Sequence, residues 1–203
     1  ALPSEALVRL WREIFALATR AQGPFAATVC APGGDRTVWE LARAHFGHAT
    51  PFRRVDRAAQ ALREVAEDEA QAAVLPPPSD DVLWWTGLIE SQPRLHVTAR
   101  LPFLAGDAGG EADGDEAMVV TARPPDPSGD DVTLLALAAG GPSSRGRLRD
   151  LLAKAGFEAT WRGATRADGG PESWHLIEVA GFVEAEDARL RELPRDHPRE
   201  LER

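Results

Sequence analysis

The 203-residue chain has one cysteine, Cys30, and no apolar run close to the roughly 20 residues that a membrane-spanning helix needs. A lone cysteine excludes an intrachain disulfide framework. Positive charge is also scarce, since 23 Lys and Arg stand against 32 Asp and Glu and leave a net charge of −9. Such a chain repels nucleic acids and anionic membranes on average. These absences predict a cytoplasmic protein that binds neither nucleic acid nor membrane.

The composition itself is that of a globular protein, with 43% hydrophobic and 27% charged residues. A chain of this length has room for one large domain or two small ones. It begins at Ala1 without an initiator Met, and its first residues show no signal-peptide pattern. We therefore interpret it as part of a longer protein.

Apolar residues recur at helical spacing near the N-terminus, at Leu7, Leu10, Trp11, Ile14, Leu17 and Ala18. The pattern predicts an amphipathic helix that ends before Gly23 and Pro24. Four residues beyond Ala18 comes Gln22. Its amide thus falls on the face that we expect to be buried, where a polar group needs a hydrogen-bond partner.

After Phe25, strand patterns alternate with helix patterns. The strands cover residues 25–31, 51–55, 72–76, 94–103 and 117–122, and the helices cover residues 36–47, 56–68 and 80–91. Such alternation favours βαβ units and a parallel sheet. The segment Leu104–Glu116 is rich in Gly and Asp, so we interpret it as a loop or a domain boundary.

The last third of the chain has a different order of elements. The predicted order is a strand over 133–139, a helix over 143–156, strands over 159–165 and 174–182, and a helix over 186–193. This βαββα order is typical of a ferredoxin-like fold. The charged tail after Leu193 is expected to fray.

Together these segments resemble one known architecture. The first helix, WREIFALATRAQ, resembles the last helix of an all-helical chorismate mutase, and the remainder resembles a prephenate dehydratase domain with an appended ACT domain. The resemblance implies three domains: residues 1–23 from the mutase, 24–125 as a reduced dehydratase-like domain, and 126–203 as an ACT-like domain. The implied fold class is α/β, with a single periplasmic-binding-protein-like lobe and a C-terminal ferredoxin-like α+β domain.

The mutase resemblance assigns a role to Gln22. In that family a small residue stands four positions before a Gln or Glu that hydrogen-bonds the ether oxygen of chorismate, and here these positions are Ala18 and Gln22. The reaction is pericyclic, so it needs a cationic pocket and a donor to the breaking C–O bond but no metal or cofactor. The family's Arg and Lys residues would lie upstream of Ala1. Alternatively, Gln22 only satisfies a helix terminus or a core backbone group.

The resemblance also implies a homodimer through the mutase helices. Burying Leu10, Trp11 and Phe15 offers on the order of 5 kcal/mol before entropy costs, which is too little for a dimer by itself. The implied ligand is a small carboxylate such as chorismate or prephenate.

The dehydratase family has a Gly-Pro-Glu-Gly-Thr turn after its first strand. Here the matching stretch is Ala31–Asp35 with Thr37 slightly later, which makes Gly33, Gly34 and Thr37 candidate ligand-binding residues. A helix N-terminus after such a turn can hold an anion. The alternative is an ordinary turn.

Other family motifs are missing. The catalytic Thr-Arg-Phe motif falls on Glu116, Ala117 and Met118, and the short Gly/Asp segment replaces the family's second lobe. We therefore predict no prephenate dehydratase activity. In the ACT-like part Gly146 and Leu148 match the start of the regulatory helix, but the Glu-Ser-Arg-Pro motif is absent at 163–166, so phenylalanine feedback is not expected.

The remaining candidates favour structural interpretations. Gly47 interrupts the pair His45 and His48, which argues against a metal site. The pair Trp84 and Trp85 is interpreted as core, or as one core side chain and one that covers a pocket. Two function classes remain: a chorismate mutase-type enzyme, and a non-catalytic module that binds a small carboxylate or a partner protein.

Overall fold

A computed structural model describes residues 3–103, 115–139, 145–166, 173–191 and 193. Most of the predicted Gly/Asp-rich loop and the tail after Leu193 lie outside the described residues. The chain forms two compact units. The first comprises Ala1–Pro77 and Glu90–Pro125, and the second comprises Pro78–Ile89 and Asp126–Arg203.

The first unit is a sheet with helices, whose strands and helices lie in the segments that the sequence patterns predict. Its helices are α1 (Ser4–Gln22), α2 (Arg36–Phe46) and α3 (Ala58–Ala66). Its strands are β1 (Ala27–Cys30), β2 (Phe52–Val55), β3 (Ala72–Leu75), β4 (His96–Leu101) and β5 (Ala117–Thr121).

The five strands follow the order β2-β1-β3-β5-β4. Strand β1 is parallel to β2 and β3, whereas β5 runs antiparallel to both β3 and β4. The expectation of a parallel sheet was therefore wrong for the part formed by β3, β5 and β4. Its physical reason is that parallel neighbours need a crossover connection, usually a helix, and no helix pattern separates β4 from β5.

Helices α2 and α3 cover opposite faces of this sheet. Val38 and Ala42 of α2 pack in one core cluster with Val29 and Val74. Thr28 points to the other face, where Glu64 of α3 is also buried. Because helices cover both faces of the sheet here, every residue of β1 and β3 is buried, including the polar Thr28.

The second unit holds an antiparallel sheet of three strands in the order β6-β8-β7. Its elements are α4 (Thr86–Ile89), β6 (Val132–Ala139), α5 (Arg145–Lys154), β7 (Ala159–Arg166), β8 (Ser173–Ala180) and α6 (Ala188–Arg191). Leu152 of α5 packs with Leu137 and Ile177 in its core. From β6 onward the elements follow the βαββα order; the ferredoxin-like assignment stays a prediction.

Trp84 and Trp85 are both buried, in agreement with the core interpretation. Within the described residues, no helix is long and apolar enough to cross a membrane.

Candidate functional site

Helix α1 is attached to its unit by its polar side. Among its described side chains only Ala16 is buried, at 6% exposure. Ala16 meets the turn after α2, where a Cβ on Gly47 would come within 2.9 Å of the Ala16 Cβ. Gly47 also has a φ of +80°, so this close approach requires glycine.

A carboxylate completes this attachment. Glu13 Oε1 accepts hydrogen bonds from the His48 backbone N–H at 2.7 Å and from the His48 ring at 2.9 Å. The backbone bond from His48 is the main reason that the pKa of Glu13 is lowered. His48 therefore pairs with Glu13, and no group of three or more His, Cys, Asp or Glu suited to a metal occurs among the described residues.

The opposite side of α1 is exposed. The exposed apolar residues of this helix are Leu7, Leu10, Trp11, Ile14, Phe15 and Leu17. The stripe that the sequence predicts to be buried is exposed in this structure, because the contacts of Glu13 and Ala16 turn the other side of the helix inward. Ala18 and Gln22 are exposed as well and continue the apolar stripe toward the end of the helix. Whether Gln22 is catalytic stays a prediction.

The glycine turn lies at a second candidate position, the carboxyl edge of the sheet. It follows β1, which lies between β2 and β3, and α2 and α3 leave toward opposite faces. This is the topological switch point at which open α/β sheets bind ligands. Gly33 and Gly34 have φ values of +63° and +82°. Both adopt the left-handed region, which suits glycine alone without strain.

The chain itself occupies the N-terminus of α2. Asp35 Oδ1 accepts a hydrogen bond from the backbone N–H of Thr37 at 2.8 Å. This carboxylate satisfies one of the N–H groups that an anion would use. An anionic ligand at Thr37 would therefore have to compete with Asp35.

A cation beside this turn escaped the sequence analysis. The Arg54 guanidinium stacks 4.5 Å from the centre of the Trp39 ring, and its Nη1 lies 3.9 Å from the Cβ position of Gly34. Arg53 and Arg54 are neighbours on β2, so they point to opposite faces of the sheet. Arg53 pairs with Glu64 at 3.1 Å. The alternation of side chains along β2 indicates that Arg53 and Arg54 point to opposite faces of the sheet. It does not show that Trp39 of α2 stacks against Arg54.

The thiol of Cys30 has no features of a nucleophile. Cys30 ends β1 and is buried. Burial raises the pKa of this thiol, and Asp56 raises it further. The thiolate needed for attack is thus disfavoured.

The positions that match the dehydratase motif lie at the start of β5. Ala117 and Met118 are 0% and 2% exposed and form part of the sheet. Glu116 forms an ion pair with Arg100 at 3.4 Å. None of these three side chains carries a hydroxyl group or a positive charge. Acid-assisted loss of water from a dicarboxylate needs a proton donor and a cation, so these positions do not supply that chemistry.

In the second unit, Ser173 and His175 form a pair that sequence analysis missed. The Ser173 Oγ lies 3.0 Å from His175 Nε2, and Trp161 Nε1 donates to His175 Nδ1 at 3.4 Å. The signal was present, since residues two apart on a strand share a face, but Trp161 comes from a different strand.

The proton positions in this pair oppose catalysis. An indole N–H only donates, so Nδ1 must accept and the proton of the neutral ring lies on Nε2. His175 therefore donates to Ser173 and cannot remove its proton. Burial lowers the pKa of His175, Arg145 lowers it further, and Asp80 opposes the shift.

Near this pair, Asp80 is anchored to strand β7. Asp80 Oδ1 accepts from the backbone N–H of Ala164 at 2.8 Å, and Arg145 lies 3.5 Å from the same carboxylate. A Cβ on Gly163 would come within 2.9 Å of the Ser79 carbonyl oxygen. Gly163 and Ala164 thus contact Ser79 and Asp80, at the start of the stretch where the Glu-Ser-Arg-Pro motif would fall.

Comparison with known proteins shows the fold. No family model and no curated protein matches the sequence. A solved structure described as GqqA, a novel type of quorum quenching acylase, matches with a TM-score of 0.61 at 16% identity, covering 86% of this chain and 91% of that chain.

Two prephenate dehydratase structures also match. The Streptococcus mutans enzyme gives a TM-score of 0.53 at 14% identity over 84% of this chain and 90% of that chain. The Arthrobacter aurescens enzyme, solved with L-Phe, gives a TM-score of 0.53 at 14% identity over 83% and 84%. The chain therefore has a distant prephenate dehydratase-like fold, and identities this low carry no function with them.

Proposed function

We propose that the chain is part of a chorismate mutase-type protein of aromatic amino-acid biosynthesis, which converts chorismate to prephenate in the cytoplasm. In this proposal α1 is the last helix of the mutase domain, and residues 24–125 and 126–203 are structural or regulatory. The observation that carries it is α1 itself. This helix precedes a dehydratase-like fold and presents an apolar face, in line with Ala18 and Gln22, away from its own attachment.

The chemistry assigned to Gln22 is hydrogen-bond donation. Its amide donates to the ether oxygen of chorismate as the C–O bond breaks, and a donor placed there favours the transition state over the substrate. The exposed position of Gln22 supports this role, since the side chain is available to a pocket completed by other helices.

We further propose that the dehydratase-like part has no dehydratase activity. Supporting observations are the burial of Ala117 and Met118 and the pairing of Glu116 with Arg100. The Asp35 cap disfavours a dianion at the glycine turn. The ACT-like assignment of residues 126–203 and the homodimer through mutase helices belong to the same proposal.

The decisive experiment follows the absorbance of chorismate with protein made from the complete open reading frame. We expect the Gln22→Ala variant to lose at least about 100-fold in kcat/KM, as removal of a transition-state donor does. Thr19→Ala is the matched control, because Thr19 is exposed on the same helix outside the apolar face.

The Gln22→Glu variant sharpens this test. A carboxylate cannot donate, so activity should be low at neutral pH and return as the carboxyl is protonated at lower pH. Equal rates for the unchanged protein and Gln22→Ala would remove Gln22 from the mechanism. Absence of chorismate consumption by the unchanged protein would overturn the enzyme proposal.

A non-catalytic module that binds a small carboxylate is the second candidate. It is favoured by Arg54, which Trp39 holds beside the glycine turn. Calorimetric titration with prephenate, phenylalanine and tyrosine tests it, with Arg54→Ala as the comparison. Heat that disappears in the variant supports a site at this turn, and no heat with any of the three contradicts it.

A further inference from the structure

Residues 78–82, which we call the strap, form a tight turn between β3 and α4. The backbone N–H of Ser79 donates to the carbonyl of Val82 at 3.3 Å, and the N–H of Val82 donates to the carbonyl of Ser79 at the same distance. Ser79 Oγ also accepts from the backbone N–H groups of Asp81 and Val82. These bonds fix the backbone on both sides of Asp80 and so limit the positions of its carboxylate.

The carboxylate of Asp80 is bound at the edge of the three-stranded sheet. Strand β7 is an outer strand in the order β6-β8-β7. An edge strand presents backbone N–H groups that no neighbouring strand satisfies. The N–H of Ala164 in β7 donates to Asp80 Oδ1 at 2.8 Å, although Asp80 lies 84 residues earlier in the chain. Asp80 therefore satisfies a donor of the sheet edge.

A cation completes the site around this carboxylate. Arg145 Nη2 lies 3.5 Å from both carboxylate oxygens of Asp80. A backbone N–H on one oxygen and a guanidinium that faces both oxygens are the donors that a carboxylate prefers. The bound carboxylate in this site belongs to the chain itself.

Gly163 permits the strap to approach β7. A Cβ at this position would lie 2.9 Å from the carbonyl oxygen of Ser79 and 3.0 Å from its carbonyl carbon. Any larger residue would therefore push the strap away from the strand. Glycine here allows the neighbouring Ala164 to reach the carboxylate of Asp80.

The site holds Asp80 loosely. The side chains of Asp80 and Arg145 are 62% and 54% exposed. Exposed ion pairs contribute little to stability, and 3.5 Å is long for a hydrogen bond. A group tethered by a short chain competes as if it were present at about millimolar concentration. A free carboxylate at tens of millimolar, on the order of ten times that value, is therefore a realistic competitor.

We propose that the strap and a free small carboxylate compete for the site formed by the Ala164 N–H and Arg145. When the free ligand occupies both donors, the Asp80 carboxylate turns to water. The strap follows β3 of the first unit in the chain and is itself part of the second unit. Its release therefore lengthens the free connection after β3.

This inference goes beyond the proposed function. It requires neither hydrogen-bond donation by Gln22 nor a ligand at the glycine turn. It depends on Asp80, Ala164 and Arg145, so it can fail while the proposed function holds, and the reverse is also true.

Titration of the 203-residue chain with sodium acetate at neutral pH tests the inference. The signal is the NMR shift of the Ala164 amide, and sodium chloride at equal ionic strength is the reference. Asp80→Ala should bind acetate saturably and at least about 10-fold more tightly than the unchanged chain, because the tethered competitor is gone. Asp81→Ala is the matched control. It removes a neighbouring exposed carboxylate and should behave like the unchanged chain.

Two further variants distinguish a carboxylate site from a simple cap on the sheet edge. Asp80→Asn keeps an acceptor for the Ala164 N–H but loses the charge that faces Arg145. Acetate should therefore bind this variant more tightly than the unchanged chain and more weakly than Asp80→Ala. Adding Arg145→Ala to Asp80→Ala should weaken acetate binding by about 3-fold or more. Circular dichroism should show native folding in all variants, since the three replaced side chains are exposed.

The pKa of His175 gives a second readout. Burial lowers this pKa most, Arg145 lowers it further, and Asp80 opposes the shift. Asp80→Ala should therefore lower the pKa of His175 further, as followed by the NMR shift of its ring protons, whereas Asp81→Ala should not. An unchanged value in Asp80→Ala would contradict the placement of Asp80 beside Arg145.

Three results of the acetate titration would each overturn the inference. The first is no saturable shift of the Ala164 amide in Asp80→Ala. The second is equal acetate affinity in Asp80→Ala and the unchanged chain. The third is an affinity that does not depend on Arg145.

Discussion

Helices α1 and α2 are both amphipathic, yet they use their apolar residues in opposite ways. Helix α2 directs Val38 and Ala42 into the core of its sheet. Helix α1 directs Glu13 and Ala16 inward and leaves its large apolar residues exposed. The comparison teaches that an apolar stripe predicts a helix but does not say which neighbour covers the stripe.

The largest effect is expected from placing the same charge on each helix. Ala42→Asp puts an unpaired carboxylate into the core and should lower the free energy of unfolding by about 3 kcal/mol or more. Leu10→Asp should change it by less than about 0.5 kcal/mol when measured on the monomer. Urea unfolding of both variants gives the comparison, and similar losses would show that α1 is packed by its apolar side.

His45 gives a second test of how α2 is buried, because its protonation should make the free energy of unfolding depend on pH. Burial, with a contribution from Arg12, lowers the pKa of His45 to about 4, from 6.5. Between those values the unfolded chain binds a proton that the folded chain does not, so stability should fall by about 3 kcal/mol as the pH drops from 6.5 to 4.

Urea unfolding of the His45→Phe variant over that range is the measurement. The slope of stability against pH should decrease, although it should not vanish, because the pKa values of His96 and His175 are lowered as well. An unchanged slope would show that His45 titrates normally in the folded protein.

The contact that attaches α1 should respond to Gly47→Ala. The new Cβ would meet Ala16 at 2.9 Å in a backbone of positive φ, so we expect a loss of about 2–3 kcal/mol. Gly33→Ala is the matched control, since its φ is also positive but nothing lies within 4 Å of the added Cβ. Its loss should be about 1 kcal/mol. Equal losses would mean that α1 does not approach Gly47 closely.

The smallest effects concern the carboxylates that hold each helix. Asp35→Ala removes the cap of α2 and should cost about 1 kcal/mol in thermal or urea unfolding. Glu13→Gln removes the carboxylate that attaches α1. In the unchanged chain, the stability that this carboxylate contributes should be lost as the pH falls through the lowered pKa of Glu13. A Glu13→Gln variant with the same acid sensitivity as the unchanged chain would contradict the role of this carboxylate.

Local patterns were sufficient to locate helices and strands, as the positions of α1, α2 and β5 illustrate. They could not show that β5 inserts between β3 and β4, because that pairing joins residues distant in the chain. The same limit applies to the candidate sites. Spacing identified Gly33 and Gly34, whereas Arg54 acquires its position only through Trp39 on another element.

The orientation of α1 is tested most directly by thiol labelling at two adjacent positions. The native Cys30 is buried and provides a silent background. Leu17→Cys should react with a thiol reagent at close to the rate of an unfolded peptide, and Ala16→Cys should be strongly protected. A protected thiol at position 17 with a reactive one at position 16 would contradict the account.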